Sequence, residues 1–327
     1  MSSVEIEPRE VPGRWYAETA NLRRELKQLL DLDRIRALHR VSWAHHAFVA
    51  VRQFLLLVGC ALLIVWAPER AYVWVPAAVL LGFVLFSLTI LLHEVVHLAV
   101  FERRRTPWNA VLGWLYALPT GLSRSQFTRW HLDHHAELGS DKDDPKRHHL
   151  TPKIVRRWYK ALYLTPFLFP LYFRAAVREA RGYEPALRSR LRLERTVTML
   201  LHVGLAAAIV HWGSWALLLR VYVIPLFFVF PIAFTVNRLG QHYDIEPDDP
   251  AAWGTIIKTN GIWNFLFLWS SYHMEHHYFP GVPFYNLPAL HRELRPVLER
   301  HPMRVRTYTG LLFDWLIRNK APHTSWH

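Results

Sequence analysis

The sequence predicts an all-α integral membrane protein: four transmembrane helices in two hairpins, with a cytosolic helical cap that is rich in histidine. Three observations lead there. Four apolar runs are long enough to cross a bilayer, which takes about 20 residues. Within each pair the runs are only a few residues apart, so the two members run antiparallel. All the histidine clusters lie in polar sequence beyond the same end of those pairs. The composition agrees: 52% of the 327 residues are hydrophobic and 20% are charged, which suits apolar spans with a substantial polar body outside them.

Residues 1–46 are polar and mixed in charge. Within them, ETANLRRELKQLLDLDRIRALHR repeats leucine at helical spacing with arginines between, which predicts an interfacial helix on the cytosolic surface. The beginning, MSSVEIEPREVPGRWY, lacks the basic-then-apolar order of a signal peptide, so targeting rests on the first span. That span is FVAVRQFLLLVGCALLIVW, with Arg52 placed to snorkel. Its Cys60 is the only cysteine, a small buried apolar residue; an internal disulfide and a thiolate metal site are both excluded. The linker APERA leads into the second span, YVWVPAAVLLGFVLFSLTILL.

HEVVH (93–97) follows at once, then the basic cluster Arg103–Arg105. PWNAVLGWLYALP and the proline-broken YLTPFLFPLYF are too short to cross and are expected to be re-entrant or to lie along the membrane surface. Between them, residues 121–160 are polar and carry HLDHH (131–135); residues 174–195 are strongly basic. TVTMLLHVGLAAAIV and WALLLRVYVIPLFFVFPIAFTV, joined by HWGS, form the second hairpin. From Asn237 the chain is polar again apart from GIWNFLFLW, which precedes HMEHH (273–277). The expected division is a cytosolic or interfacial segment 1–46, a membrane domain 47–294 and a cytosolic tail 295–327. There is no internal repeat.

The formal charge of +13 and pI of about 10.1 would raise nucleic-acid binding in a soluble protein. Here the basic residues flank apolar runs, in loops 101–160, 174–195 and 292–319, so topology and anionic headgroups account for them and no nucleic-acid partner is expected. The positive-inside rule places both termini and every histidine cluster in the cytoplasm.

Those clusters carry the chemistry. On a helix, i and i+4 share a face, so His93 and His97 reach a common ion, as do His131, His134 and His135, and His273, His276 and His277. Adjacent histidines diverge by about 100°, which lets each reach a neighbouring position. Eight imidazoles exceed what one tetrahedral ion needs, so two metals are the economical reading. His242, at the exit of the fourth span in NRLGQHYDIEPDD, is a ninth candidate, and Asn237 and Gln241 lie close to it. The acids Glu94, Asp133 and Glu275 are placed to accept the second N–H of a bound imidazole, or else are solvated carboxylates. His45, His46, His148, His149, His202, His211, His291, His301, His323 and His327 show no such pattern and are read as structural or solvated.

Imidazole suits zinc, copper, iron and nickel alike, so location chooses the chemistry. A site beneath apolar spans faces a hydrocarbon phase, and breaking an unactivated C–H bond there needs an oxidising cofactor; two irons with O2 supply it, zinc does not. Metal transport or sensing is a competing reading, but transporters place ligands near the bilayer midplane. A zinc hydrolase is another, and it would use fewer imidazoles. Trp130 and Trp269, beside the second and third clusters, are candidates for a substrate tunnel; the other tryptophans read as an interfacial belt.

From about Leu92 to Leu294 the chain resembles the membrane fatty-acid desaturase superfamily, whose signature is HxxxH or HxxxxH followed by two HxxHH boxes. The flanks RWHLDHHAELGSDKDDP and WSSYHMEHHYFPGVPFYNLPALH are similar as well. The short first box and the overall length resemble sphingolipid (dihydroceramide) and bacterial acyl-lipid desaturases, and RWYAETANLRRELKQLL resembles the sphingolipid branch. The resemblance implies that the nine histidines ligate two Fe ions, with Asn237 near a further ligand position, and that a fatty acyl or sphingoid chain is desaturated in the membrane. A hydroxylase or other oxygenase would share the same ligands. No HPGG-type haem motif is present, which implies an external ferredoxin or cytochrome b5 as electron donor. The bacterial inner membrane is expected rather than the endoplasmic reticulum.

Overall fold

The computed structural model describes residues 14–103, 106–140, 142–243, 253–301 and 303–321. Arg104 and Arg105 of the basic cluster, the acidic stretch after Tyr243, His323, His327 and the first thirteen residues lie outside them. The described chain is mostly helical: α1 (Arg14–Glu18), α2 (Ala20–Leu29), α3 (Leu32–Leu38), α4 (Trp43–Trp66), α5 (Ala71–Val96), α6 (Pro107–Ala117), α7 (Arg124–Glu137), α8 (Arg157–Ala161), α9 (Leu168–Ala180) and α10 (Pro185–Trp212). Then come α11 (Trp215–His242), α12 (Gly261–Leu266), α13 (His273–Tyr278), α14 (Leu287–Leu298) and α15 (Tyr308–Leu312).

Four helices are long and apolar enough to cross a membrane, and they contain the four runs read from the sequence: α4, α5, α10 and α11. The central one is α5. Nearly every residue from Leu81 to Leu92 is buried, because α4, α6 and α11 pack around it. α4 presents Phe48, Leu55, Leu62 and Trp66 outward, the pattern of a lipid-facing surface. α10 is the most peripheral, with only Leu191, Glu194 and Thr198 buried. Polar links between helices replace water where none reaches: Gln53 Nε2 donates to Ser87 Oγ (2.6 Å), and His202 joins Tyr222 Oη (2.7 Å) to the Leu118 carbonyl (2.8 Å). His202 is thus structural, as expected.

α11 is wound more widely over 219–229. Pro225 has no N–H to donate, and its carbonyl instead accepts from the Phe230 N–H five residues on. Opposite Pro225, Gly82 of α5 lets the two backbones approach: a Cβ at Gly82 would lie 2.8 Å from the Pro225 oxygen and collide with the Val229 side chain.

The short apolar segments lie as amphipathic helices. In α6, Leu112 and Tyr116 are buried while Trp108, Val111 and Leu115 are exposed, and Thr106 caps the start by accepting from the Trp108 N–H (3.0 Å). The N-terminal helices turn their leucine stripe onto protein: Leu22 and Leu26 of α2 are buried, and α2 packs on α14. Arg34 binds Glu293 (2.6 Å) and Glu25 binds His301 (3.0 Å) across that seam. One departure from an all-helical chain is a two-stranded parallel sheet, β1 (Thr255–Ile257) with β2 (Arg304–Arg306). Three residues a side give no readable alternation in sequence; tertiary contact makes the pairing.

Gly82→Ala should lower stability by about 1–3 kcal/mol through overpacking. Gly59→Ala, where an added Cβ meets nothing within 4 Å, should cost nothing; thermal unfolding in detergent compares the two.

Candidate metal centre

Each histidine cluster is delivered by a different local device. α5 runs out of apolar sequence at its last turn, which carries His93; His97 follows as the cap, its N–H donating to the His93 carbonyl (3.1 Å). The second cluster rides on α7, whose first turn is fixed from outside. Glu194 of α10, 1% exposed, accepts from Ser123 Oγ (2.6 Å), Ser125 Oγ (2.6 Å) and the Ser125 N–H (2.9 Å). The carboxylate thus sets where α7 begins and satisfies one of its free first-turn amides. The third cluster fills the short helix α13, which follows left-handed backbone at Leu268 and Trp269 (φ 43° and 59°). His242 ends α11.

The nine histidines converge into two groups. His93, His97, His131, His135 and His276 form one; His134, His242, His273 and His277 form the other; in each, the ligand nitrogens all lie within 4.8 Å of one another. The adjacent pairs His134–His135 and His276–His277 are split between the groups, as the 100° divergence of neighbours on a helix requires. Asn237 donates to Ser270 Oγ (2.6 Å) and accepts from Gln241 Nε2 (2.8 Å), on the wall of an adjoining cavity. None of the other described histidines joins a group; His149 meets Glu179, and His46 meets Tyr116.

Tautomers show that the groups fit metal. His134 Nδ1 faces both oxygens of Asp144 (2.9 and 3.0 Å), and His242 Nδ1 faces the Trp253 carbonyl (2.8 Å). Both partners only accept, so both Nδ1 atoms carry the proton. A neutral imidazole then has a bare lone pair on Nε2, and these two Nε2 atoms point at each other across 3.1 Å. Lone pairs so placed repel unless a cation lies between them. Similar approaches join His273 to His242 (2.8 Å), His277 to His273 (3.0 Å) and His276 to His135 (3.1 Å). Metal–nitrogen bonds of about 2.0–2.1 Å leave ligand nitrogens roughly 3 Å apart, which matches.

Burial keeps these rings neutral. His97, His131, His134, His135, His273, His276 and His277 are all held well below the usual imidazole range, first by desolvation and then by neighbouring imidazoles and, except at His135 and His277, by Lys146. Lys146 Nζ lies 3.1 Å from His131 Nδ1, and burial pushes its ammonium down, while burial pushes the Asp144 carboxyl up.

The orienting carboxylates differ in part from those expected. Glu94 does sit at His93 Nδ1 (3.3 Å), while its other oxygen accepts from the Phe284 N–H (3.0 Å). Asp133 instead accepts from Arg129 (2.7 Å), and Glu275 pairs with His291. The second acid that orients a clustered imidazole is Asp144, in the acidic turn after the second cluster, a residue the sequence reading did not single out. Gly139 (φ 87°) starts that turn. Lys146 and Glu194 went unnoticed for the same reason: each acts on the centre through a contact between segments. Beside the groups lies a cavity of about 90 Å³, room for roughly three waters or a short stretch of chain, walled by Phe86, Ile90, Trp130, Tyr172 and Phe234. Trp130 thus lines it as expected; Trp269 stacks on Phe284 (5.7 Å) instead.

Two outcomes follow. Asp144→Ala should weaken metal retention by about 10–100-fold against a chelator, whereas Asp133→Ala should leave it near wild type; metal content after dialysis reads both. Below about pH 6.5 the unfolded chain takes up protons that the buried imidazoles refuse, so stability must fall as pH drops, by up to about 1.4 kcal/mol per pH unit for each histidine. Asp144, raised by burial, and His291, raised by its bond to Glu275, oppose this at acid pH but are outnumbered by the seven histidines. Thermal unfolding of metal-free protein at pH 8 and pH 5.5 should therefore show a large loss at pH 5.5.

Residues 69–309, which contain all nine histidines, match the model of the fatty acid desaturase family. The human sphingolipid delta(4)-desaturase/C4-monooxygenase DES2 is 26% identical over 316 residues, 93% of this chain and 90% of the relative. The Drosophila melanogaster sphingolipid delta(4)-desaturase DES1 is 26% identical over 284 residues, 84% and 81% of the two chains, and the human DES1 is 24% identical over 242 residues, 71% and 68%. Four apolar helices, a nine-histidine centre and a family match across most of the chain agree: this protein belongs to the fatty acid desaturase family and is a lipid desaturase-type oxidoreductase.

Proposed function

We propose that the two histidine groups hold a pair of irons and that the protein desaturates a fatty acyl or sphingoid chain of a membrane lipid, using O2 and electrons from a separate ferredoxin or cytochrome b5. The observation that carries this reading is the pair of facing Nε2 atoms of His134 and His242, fixed by Asp144 and Trp253 so that only a cation reconciles them. Histidine alone does not choose iron over zinc; the apolar cavity beside the groups favours redox chemistry on a hydrocarbon.

His93, His97, His131, His135 and His276 would hold one ion; His134, His242, His273 and His277 would hold the other. When bound, the pair supplies the oxidising power of O2 needed to break an unactivated C–H bond. In balance, two hydrogens leave adjacent methylenes, and with two further electrons and two protons one O2 becomes two waters. The chain's own residues do the rest. Phe86, Ile90 and Phe234 hold the hydrocarbon and exclude water. Glu94 and Asp144 hold His93 and His134 in their tautomers. Asn237, Gln241 and Ser270 are polar groups on the same wall, placed to meet a polar substituent close to the reacting carbons.

In this reading the four helices form two hairpins, both termini are cytosolic, and the histidine centre lies in a cap at the cytosolic surface. The N-terminal segment and the C-terminal tail pack on that cap. The relatives named above are animal proteins, which points toward the endoplasmic reticulum and gives no support to the bacterial inner membrane expected from the sequence. Hydroxylation is the second reading, because one relative's name includes a C4-monooxygenase; return of oxygen to the first carbon would need no change of ligands.

Expression of wild type and His135→Ala in a host of defined lipids, with a donor supplied, tests both. Mass spectrometry should find a lipid two mass units lighter with wild type only. A product sixteen units heavier would select hydroxylation. Identical profiles from an iron-loaded wild type and the variant would remove the lipid substrate, and a zinc-loaded protein with identical profiles would remove the oxidation.

A further inference from the structure

Away from the histidine centre, a concavity of about 390 Å³ is rimmed by four arginines, Arg181, Arg188, Arg192 and Arg195. Its floor is apolar: Val177 and Ala180 from α9 and Leu191 from α10. Arg188, Arg192 and Arg195 recur at i, i+4 and i+7, so they share one face of α10, and Arg181 closes the rim from the turn after α9.

Two of the nearby carboxylates are turned to other tasks, and the exposed Glu184 forms no ion pair with the groove arginines. Glu194 is committed to Ser123 and Ser125, and Glu179 to His149. No carboxylate among the described residues lies within 4.0 Å of Arg181, Arg188 or Arg192. Like charges gathered around one hollow repel, and an anion placed in it relieves that repulsion. A phosphate does so best, because its oxygens match the guanidinium fork.

Depth selects the source of that phosphate. The apolar part of α10 begins just after Arg195. At about 1.5 Å per residue, Arg195, Arg192 and Arg188 step outward over roughly 10 Å from that edge, through the headgroup layer. Arg195 also lines a second cavity, of about 370 Å³, whose walls include Leu122, Phe169, Phe173 and Phe234. Leu122 and Phe234 in turn line the cavity at the histidine centre. One lining therefore runs from guanidinium groups, along apolar side chains, to the imidazoles.

We propose that the arginine groove binds the phosphate of a membrane phospholipid whose acyl chain runs along this lining, so that the substrate is a phosphate-bearing lipid; this rests on the chain-oxidation reading above. Arg195 already donates to Gln126 Oε1 (2.8 Å) and the Ala176 carbonyl (3.3 Å), so a neutral lipid would leave Arg181, Arg188 and Arg192 without an anion.

Native mass spectrometry of the full-length protein in detergent tests it, titrating dipalmitoyl phosphatidylglycerol and, as neutral lipids, dipalmitoyl glycerol and N-palmitoyl dihydrosphingosine. Arg188→Gln/Arg192→Gln should weaken phosphatidylglycerol about thirtyfold and leave the neutral lipids unchanged. Lys27→Gln/Arg40→Gln, an exposed basic pair elsewhere, should leave phosphatidylglycerol unchanged. An equal loss in both pairs, or none in the groove pair, would overturn the proposal. Palmitoyl coenzyme A binding more tightly than phosphatidylglycerol, and losing the same factor in the groove pair, would assign the phosphate to a soluble thioester and overturn the lipid assignment. Turnover separates the two layers. Product confined to ceramide chains would defeat this proposal alone. Absence of product in any lipid would defeat chain oxidation and leave the titration to decide the groove.

Discussion

Nine imidazoles gathered into two groups, each with its ligand nitrogens within a few ångströms of one another, are the constraint on which the rest of this structure depends. Without a cation their lone pairs repel, and burial forbids relief by protonation. The arrangement therefore has to be held from outside. Asp144 and the Trp253 carbonyl fix two rings, Glu94 fixes a third, and the α5, α7, α11 and α13 backbones set the rest. Each of these supports is itself buried and satisfied, which is what a polar centre deep in a protein requires.

The supports come from segments far apart in the chain. Glu194 on α10 sets the start of α7, so the third apolar helix positions the second histidine cluster. Trp15, fully buried, packs against Trp253, His277 and Tyr278 and so covers the second group from the N-terminal side. Arg23 donates to the carbonyls of His277 and Tyr278 at the end of α13. The N-terminal helices are thus a buttress of the metal centre, although composition alone reads them as a membrane-surface element.

The same packing divides the space around the centre by polarity. The rings are enclosed by polar second partners on one side and by Phe86, Ile90 and Phe234 on the other. A hydrocarbon approaching along the apolar side meets the imidazoles without bringing water with it, and the basic groove lies at the opposite end of the same lining. Width at Pro225 and closeness at Gly82 set how α5 and α11 pack, the two helices that carry His93 and His242 at their ends.

The sequence by itself determined the four apolar helices, the short surface segments and all nine histidines, because each is written in local terms. Apolar length reports a span, helical spacing puts i, i+3 and i+4 on one face, and adjacent histidines diverge whatever surrounds them. It left the sorting of those histidines into five and four, the roles of Asp144, Lys146 and Glu194, the inward turn of the N-terminal leucines and the small parallel sheet to the tertiary structure. None of these has a local signature. Asp144 differs from Asp133 only in which imidazole the folded chain brings to it, and a carboxylate gains its meaning from the partner that shares its burial.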